Sequence, residues 1–256
     1  MRPFLVDTHA HLCSKAFYHD LPEVIDRAQQ AGFGAIVIVG ETLADARRNV
    51  ALAAEYSCLK AAAGLYPEYA DIGEAARVIE FIRSMPGHFY AIGEVGLDFW
   101  IAEADADREV QREVFKQFIK IAGELDLPLN VHSRSAGRHA VAMLLENRAI
   151  RVQLHAFDAK VAAALPAVEA GYFFSIPPSI VRSRQKQKLV KQLPLSCLLL
   201  ESDSPVLGPD RGQRNEPANA LVALHAIAEI KDISREEVQE AVRENTWKLY
   251  ANMQKG

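Results

Sequence analysis

Phe4-Leu-Val-Asp-Thr-His-Ala-His-Leu12 is the first apolar run of the chain, and it sets His9 and His11 one residue apart. A strand sends alternate side chains to one face, so both imidazoles are expected to point the same way, with Asp7 beneath them. Two such imidazoles at a strand's end can grip one divalent ion. Outward from this run, β-rich stretches fall at 4–7, 35–39, 60–64, 90–95, 129–132, 152–155, 172–176 and 197–201. Helical periodicity fills the intervals. Val24, Ile25, Ala28 and Ala31 make one stripe, and Val110, Val114, Phe118, Ile121 and Leu125 a longer one. Two helices close the chain. The first is expected to start near Pro217, the second at Ser234, where Glu237 completes a capping-box pattern. Pro128, Pro166, Pro194 and Gly171 stand where helices should end and strands begin.

Strand–helix alternation repeated eight times predicts a parallel sheet with right-handed crossovers. Eight units closing on themselves make an α/β fold of the (β/α)8 TIM-barrel type, here with an extra C-terminal helix. An open doubly wound sheet competes, but it usually has fewer strands and a Gly-rich first turn; this chain has histidines there. The 256 residues are read as a single domain, 1–256, with no linker or low-complexity segment.

Half of the residues are hydrophobic and 24% are charged, as in a globular protein with a sizeable core. The start, Met1-Arg-Pro-Phe-Leu-Val-Asp7, turns acidic too early for a signal-peptide core, and no apolar run is long enough to span a membrane. Cys13, Cys58 and Cys197 are scattered, odd in number and free of metal-type spacing, so a reducing, cytoplasmic setting is expected. A net charge of −4 excludes a globally basic nucleic-acid wrapper. It leaves room for local phosphate readers. Arg134, Arg138, Arg211 and Arg214 fall in loops or helix starts, and Arg182, Arg184, Lys186, Lys188 and Lys191 form a basic cluster that reads first as a solvated helix face.

The C-terminal ends of barrel strands carry the active site. Each end in turn supplies metal-type residues: His9 and His11, Glu94, His132, His155 and Asp203. Each alone has an ordinary explanation as a packed histidine or a turn-forming acid. Four histidines and two carboxylates converging on one rim need common partners, because each unsatisfied buried polar group costs about 1–3 kcal/mol. Metal coordination satisfies them together. Imidazole with carboxylate suits zinc, manganese, iron or cobalt better than magnesium, and six ligands are too many for one tetrahedral zinc. Two ions sharing Glu94 as a bridge fit. Their charge exceeds that of Glu94 and Asp203, which favours an anionic substrate such as a phosphodiester. Asp203 is placed to orient a water and accept its proton. No serine-nucleophile elbow, Walker loop or dinucleotide fingerprint competes, and Cys13 reads as a buried thiol. His19, His88, His139 and His225 read as surface residues.

Asp7-Thr-His-Ala-His11, Gly93-Glu-Val-Gly-Leu-Asp98, Gln111 with Phe115, Leu129-Asn-Val-His-Ser-Arg134, His155-Ala-Phe157, Glu201-Ser-Asp-Ser-Pro205 and Arg214-Asn-Glu-Pro217 together carry a resemblance. The chain resembles the TatD family of metal-dependent deoxyribonucleases, within the amidohydrolase-like barrels. The stretches His132-Ser-Arg-Ser-Ala-Gly-Arg138 and Tyr172-Phe-Phe-Ser-Ile-Pro-Pro-Ser179 look most like the subgroup containing the third TatD-domain paralogue of animals. The resemblance implies hydrolysis of DNA phosphodiesters, often exonucleolytic, by two divalent ions per chain (zinc, manganese or magnesium). It implies one ion on His9, His11, Glu94 and Asp203, and another on Glu94, His132 and His155. Glu94 and Asp203 are then the catalytic carboxylates, and Tyr66, Arg134, Arg138 and Arg214 the expected substrate contacts.

One departure stands out. The family pattern after the third strand is Gly-x-His-Pro, whereas this chain has Gly64-Leu-Tyr66-Pro67. The histidine is expected to touch substrate phosphate or a further metal; tyrosine can donate a hydrogen bond but carries no positive charge at neutral pH. The competing reading keeps the metals and changes the bond, to an amidase, lactonase or ester hydrolase such as a deacylase. A monomer acting on DNA or an oligonucleotide is the expected form.

Overall fold

Alternate residues of the second strand, Phe33–Ile38, belong to two separate buried clusters. Ile36 and Ile38 join one large cluster, while Ala35 and Val37 join a smaller one. A parallel strand covered on both faces needs apolar residues on both, and a closed barrel supplies the two environments: the helix layer outside and the lumen inside.

The computed structural model describes residues 4–255, so Met1, Arg2 and Pro3 of the opening run, and Gly256, lie outside the description. The strands are β1 (Leu5–Ala10), β2 (Phe33–Ile38), β3 (Leu59–Ala63), β4 (Ala91–Gly96), β5 (Leu129–His132), β6 (Val152–His155), β7 (Phe173–Ile176) and β8 (Leu198–Leu200). Each pairs in parallel with the next, in sequence order. Helices follow them as α1 (Leu21–Gln30), α2 (Leu43–Glu55), α3 (Ile72–Ser84), α4 (Asp105–Leu125), α5 (Gly137–Glu146), α6 (Val161–Glu169), α7 (Arg184–Gln192) and α8 (Ala220–Lys231). The additional helix α9 (Arg235–Leu249) packs on β1 and β8. This is the expected TIM barrel with its extra C-terminal helix.

The seam between β8 and β1 relies on side chains and rim backbone. Thr8 Oγ1 donates to Leu200 O (2.8 Å), and Ser202 N–H donates to Asp7 Oδ1 (2.9 Å). Asp203 N–H donates to His9 O (2.9 Å) and His11 N–H to Ser204 O (2.8 Å). These bonds bring the two ends of the metal-type sequence together, although they lie almost 200 positions apart.

Several expectations shift. β1 runs to Ala10 rather than stopping at Asp7, because Asp7, Thr8 and His9 are fully buried polar residues that an apolar count discards. A register shift between Asp7 and Ala10 breaks simple alternation, and Asp7 accepts from the His9 and Ser202 amides. A 3-10 turn at Pro217–Asn219 precedes α8, which starts at Ala220. Pro166 lies inside α6, not at its end; the helix ends at Glu169 with Ala170 as its cap, and Gly171, whose φ of +79° suits glycine, follows. On α4 the buried stripe is Gln111, Val114, Phe115, Phe118, Ile119, Ile121 and Ala122, so Val110 and Leu125 are at its exposed margin. Ser234 and Glu237 form the expected capping box.

Tyr250, just past α9, is fully buried in the smaller cluster with Val6, Ala35, Val37, Ala62 and Leu199. Its hydroxyl donates to Gln153 Oε1 (2.6 Å), whose amide nitrogen reaches Thr8 Oγ1 (3.0 Å) and Ser175 Oγ (2.8 Å). Removing the hydroxyl leaves the Gln153 oxygen buried without this donor. Tyr250→Phe is expected to lower stability by about 1–3 kcal/mol in urea denaturation with the fold retained.

Candidate metal centre

Glu94 sits inside β4, buried at the rim, with its two carboxylate oxygens turned to different histidines. Oε1 lies 2.8 Å from His132 Nδ1 and 2.7 Å from His155 Nε2. Oε2 lies 3.3 Å from His11 Nε2 and 3.8 Å from His9 Nε2. Asp203, after β8, places Oδ1 3.4 Å from His9 Nε2 and 3.6 Å from His11 Nε2. The six residues picked from separate strand ends therefore meet in one place. β4 and β5 can approach closely here because residue 96 is glycine; a β-carbon there would sit 2.0 Å from His132 O, and its φ is +143°.

Tautomers follow from the surrounding bonds. Asn130 Nδ2 donates to the Thr8 carbonyl (2.9 Å), so Asn130 Oδ1 must accept from His9 Nδ1–H (2.8 Å). His9 Nε2 is then left with its lone pair facing the centre. Asp98 Oδ2 lies 3.0 Å from His132 Nε2, which makes Nε2 the donor and turns the His132 Nδ1 lone pair inward. Two pairs of ring nitrogens face each other at 3.1 Å: His9 with His11, and His132 with His155. Lone pairs so arranged repel unless a cation stands between them.

Protons take that role in the metal-free protein. Burial works against protonation of His132, but Asp98 and Glu94 override it and lift its pKa to about 9. Burial likewise opposes charging of His9 and His11, yet Asp203 and Glu94 raise both. His155 goes the other way, to about 4, through burial and the neighbouring His9, whose ring stacks on it at 3.9 Å. Burial also opposes ionisation of Glu94 and Asp203, but the surrounding imidazoles hold both well below the usual carboxylate range.

The donor set fits divalent ions. Donor atoms of His9, Glu94 and His155 lie within 4.8 Å of one another, as do those of His9, His11 and Asp203. His132 adjoins the first group through the 2.8 and 3.1 Å distances. The open cavity above measures about 590 Å³, and its lining includes Glu41, Glu68, Glu94, Asp158 and Asp203 against only Arg134 and Lys186 as formal cations. With the imidazoles neutral, as metal ligands must be, five carboxylates face two cations, so positive charge from bound ions is what would let a phosphate approach.

Residues around the centre were less visible in the sequence. Asp98 accepts from both His132 and the Tyr66 hydroxyl (3.0 Å), and Gln111 fixes its backbone amide (2.9 Å). Glu201 is fully buried, accepting from Ala156 N–H (2.9 Å) and Ser175 Oγ (2.5 Å). Burial pushes its carboxyl pKa up. Lys186 corrects the reading of the basic cluster as a solvated face: it is buried, lines the cavity and donates to Ala156 O (2.7 Å). Only its place beside the β6 end, unseen in sequence, distinguishes it from its neighbours. Tyr66 and Arg134 line the cavity as well. The other two expected substrate contacts do not. Arg214 is held by Asp20 and Ala16 O, and Arg138 lines a separate groove between α5 and α6. Arg214 is drawn away by partners that only the fold supplies, and Arg138 by its place on α5. Cys13 is buried against Val39 O, and burial raises its pKa, in keeping with an inert thiol.

A parallel eight-stranded barrel with clustered histidines and carboxylates at its C-terminal rim defines the class of metal-dependent hydrolases. Residues 6–251 match the family described as TatD related DNase, and the chain belongs to that family. It is 44% identical to human Deoxyribonuclease TATDN3 over 264 residues, 97% of this chain and 95% of the relative. It is also 44% identical to the mouse Putative deoxyribonuclease TATDN3, over 98% of this chain and 89% of the relative. The crystal structure of YjjV, a TatD homologue from Escherichia coli K12, covers 98% of this chain and 99% of its own at a TM-score of 0.89 and 28% identity.

The two-sided geometry of Glu94 yields a metal-counting prediction. After dialysis against zinc or manganese, elemental analysis is expected to find about two ions per wild-type chain and about one in His132→Ala, since His132 faces only the Oε1 side. Glu94→Ala is expected to weaken both sites.

Proposed function

We propose that this protein is a two-metal deoxyribonuclease that hydrolyses DNA phosphodiesters. The observation carrying the reading is Glu94, whose oxygens address separate histidine sets as a bridge between two ions would. His9, His11, Glu94 and Asp203 would hold one ion; Glu94, His132 and His155 would hold the other. The mixed imidazole and carboxylate donors favour zinc or manganese. The named deoxyribonuclease relatives support DNA as the substrate.

Bound ions would supply Lewis acidity, acidifying water toward neutral pH and neutralising charge on the phosphodiester. The chain's own groups do the rest. Asp203, whose Oδ1 lies 3.4 Å from His9 Nε2, would orient the attacking water and accept its proton. Asn130 and Asp98 hold the rings of His9 and His132 in the tautomers that keep their lone pairs inward. Arg134 and Lys186 contact phosphate: the Lys186 ammonium has three donors, and one is engaged by Ala156 O. Tyr66 offers no cation, so its hydroxyl acts through Asp98. Action as a monomer is part of this reading. The unpaired thiols of Cys13, Cys58 and Cys197 favour a reducing, cytoplasmic setting, and no helix among the described residues is long and apolar enough to cross a membrane.

Asp203→Asn is expected to keep its fold, read by circular dichroism, while cleavage of an end-labelled single-stranded oligonucleotide falls by about 10²-fold or more. Undiminished cleavage would exclude Asp203 as the proton acceptor, and no cleavage by metal-loaded wild type would reject the deoxyribonuclease reading. Lys186→Met and Arg134→Ala are each expected to weaken DNA binding and reduce the slope of log K against log salt by about 0.7 per phosphate contact removed.

A further inference from the structure

Trp100 is 64% exposed, at the rim of the barrel beside the metal pocket. Its position is fixed. The Trp100 amide donates to Asp98 Oδ1 (2.9 Å), on the same carboxylate whose other oxygen orients His132. The preceding Phe99 amide donates to Arg134 O (3.0 Å), which ties the loop after β4 to the loop after β5. The Arg134 guanidinium lies 4.9 Å from the indole centroid and also lines the cavity. An exposed apolar side chain by itself is ordinary. This one is anchored to the metal centre and flanked by a cation facing the pocket.

We propose that Trp100 and Arg134 form a stacking platform for an unpaired nucleobase next to the scissile phosphate. The inference rests on the deoxyribonuclease reading and specifies which form of DNA the site takes. A strand whose phosphate enters the cavity leaves its neighbouring base at the rim, where the open indole surface offers a π-face and the guanidinium offers charge to the adjoining phosphate. Every base has a π-face, so this contact is tolerant of sequence. Bases in a duplex are already stacked and paired, so the platform selects single strands or frayed ends.

Fluorescence separates this platform from the rest of the molecule, because the chain has two tryptophans. Trp247 packs edge-on to Phe4 (ring centroids 5.4 Å) beside the cluster that holds Tyr250, and serves as the internal control. The metal-loaded protein is titrated with a single-stranded phosphorothioate oligonucleotide, with a matching strand carrying abasic positions, and with a blunt duplex. The intact single strand is expected to quench indole emission in wild type and in Trp247→Phe, but not in Trp100→Leu. Binding of this strand, and cleavage of its phosphodiester counterpart, are expected to fall on the order of ten-fold in Trp100→Leu. The preference for the intact over the abasic strand should collapse, and Trp100→Tyr should restore it. Metal content and thermal midpoint check that the variants are folded. Quenching that survives in Trp100→Leu, or an unchanged preference for intact over abasic strands, would overturn the platform while wild-type cleavage leaves the deoxyribonuclease reading standing. A wild-type protein that neither binds nor cleaves any strand would remove both.

Discussion

A buried carboxylate surrounded by four imidazoles organises this molecule. Isolating Glu94 from water as an anion would be prohibitively costly without compensating positive charge. His11 and His9 answer one oxygen, His132 and His155 the other. Those rings come from three different strand ends, so the barrel must hold β1, β5 and β6 in register with β4. The glycine at residue 96 and the side-chain-assisted seam between β8 and β1 both follow from that need.

The interior beneath the centre supports it with polar groups instead of a uniformly apolar fill. Tyr250, Gln153, Thr8, Ser175 and Glu201 are linked by hydrogen bonds, and Asn130 connects this network to His9. Below lies an apolar plug made of small and branched residues from several strands. A satisfied polar network rigidifies its members, whereas a partly satisfied one is costly. The rim can therefore present His9 in a fixed tautomer through Asn130. The same network makes the C-terminal helix part of the site's foundation, since α9 delivers Tyr250 into the barrel.

The strand ends were legible because metal-type residues interrupt apolar runs: His9, His11, Glu94, His132, His155 and Asp203 each stand out against their neighbours. The supports were not. Asp98 appeared as the end of the motif after the fourth strand with no role of its own, Glu201 as the polar end of a short strand, and Lys186 as one lysine among several. Their roles depend on partners distant in sequence, such as Asp98 with His132, Glu201 with Ser175, and Lys186 with Ala156. Long cations were the least readable. Arg214 and Arg134 look alike in a loop, but an exposed guanidinium takes whichever carboxylate, carbonyl or ring the fold brings near.

By itself, the sequence determined the alternation of strands and helices, the barrel class and the identities of the metal-type residues, because these are set by local periodicity and by which side chains can bind cations. The two-sided division around Glu94, the ring tautomers, the burial of Lys186 and the exposure of Trp100 were decided only by tertiary structure. His9 and His11 are neighbours in any strand. That Glu94 faces them with one oxygen and His132 and His155 with the other depends on strands paired across the barrel, and no local pattern encodes that distance.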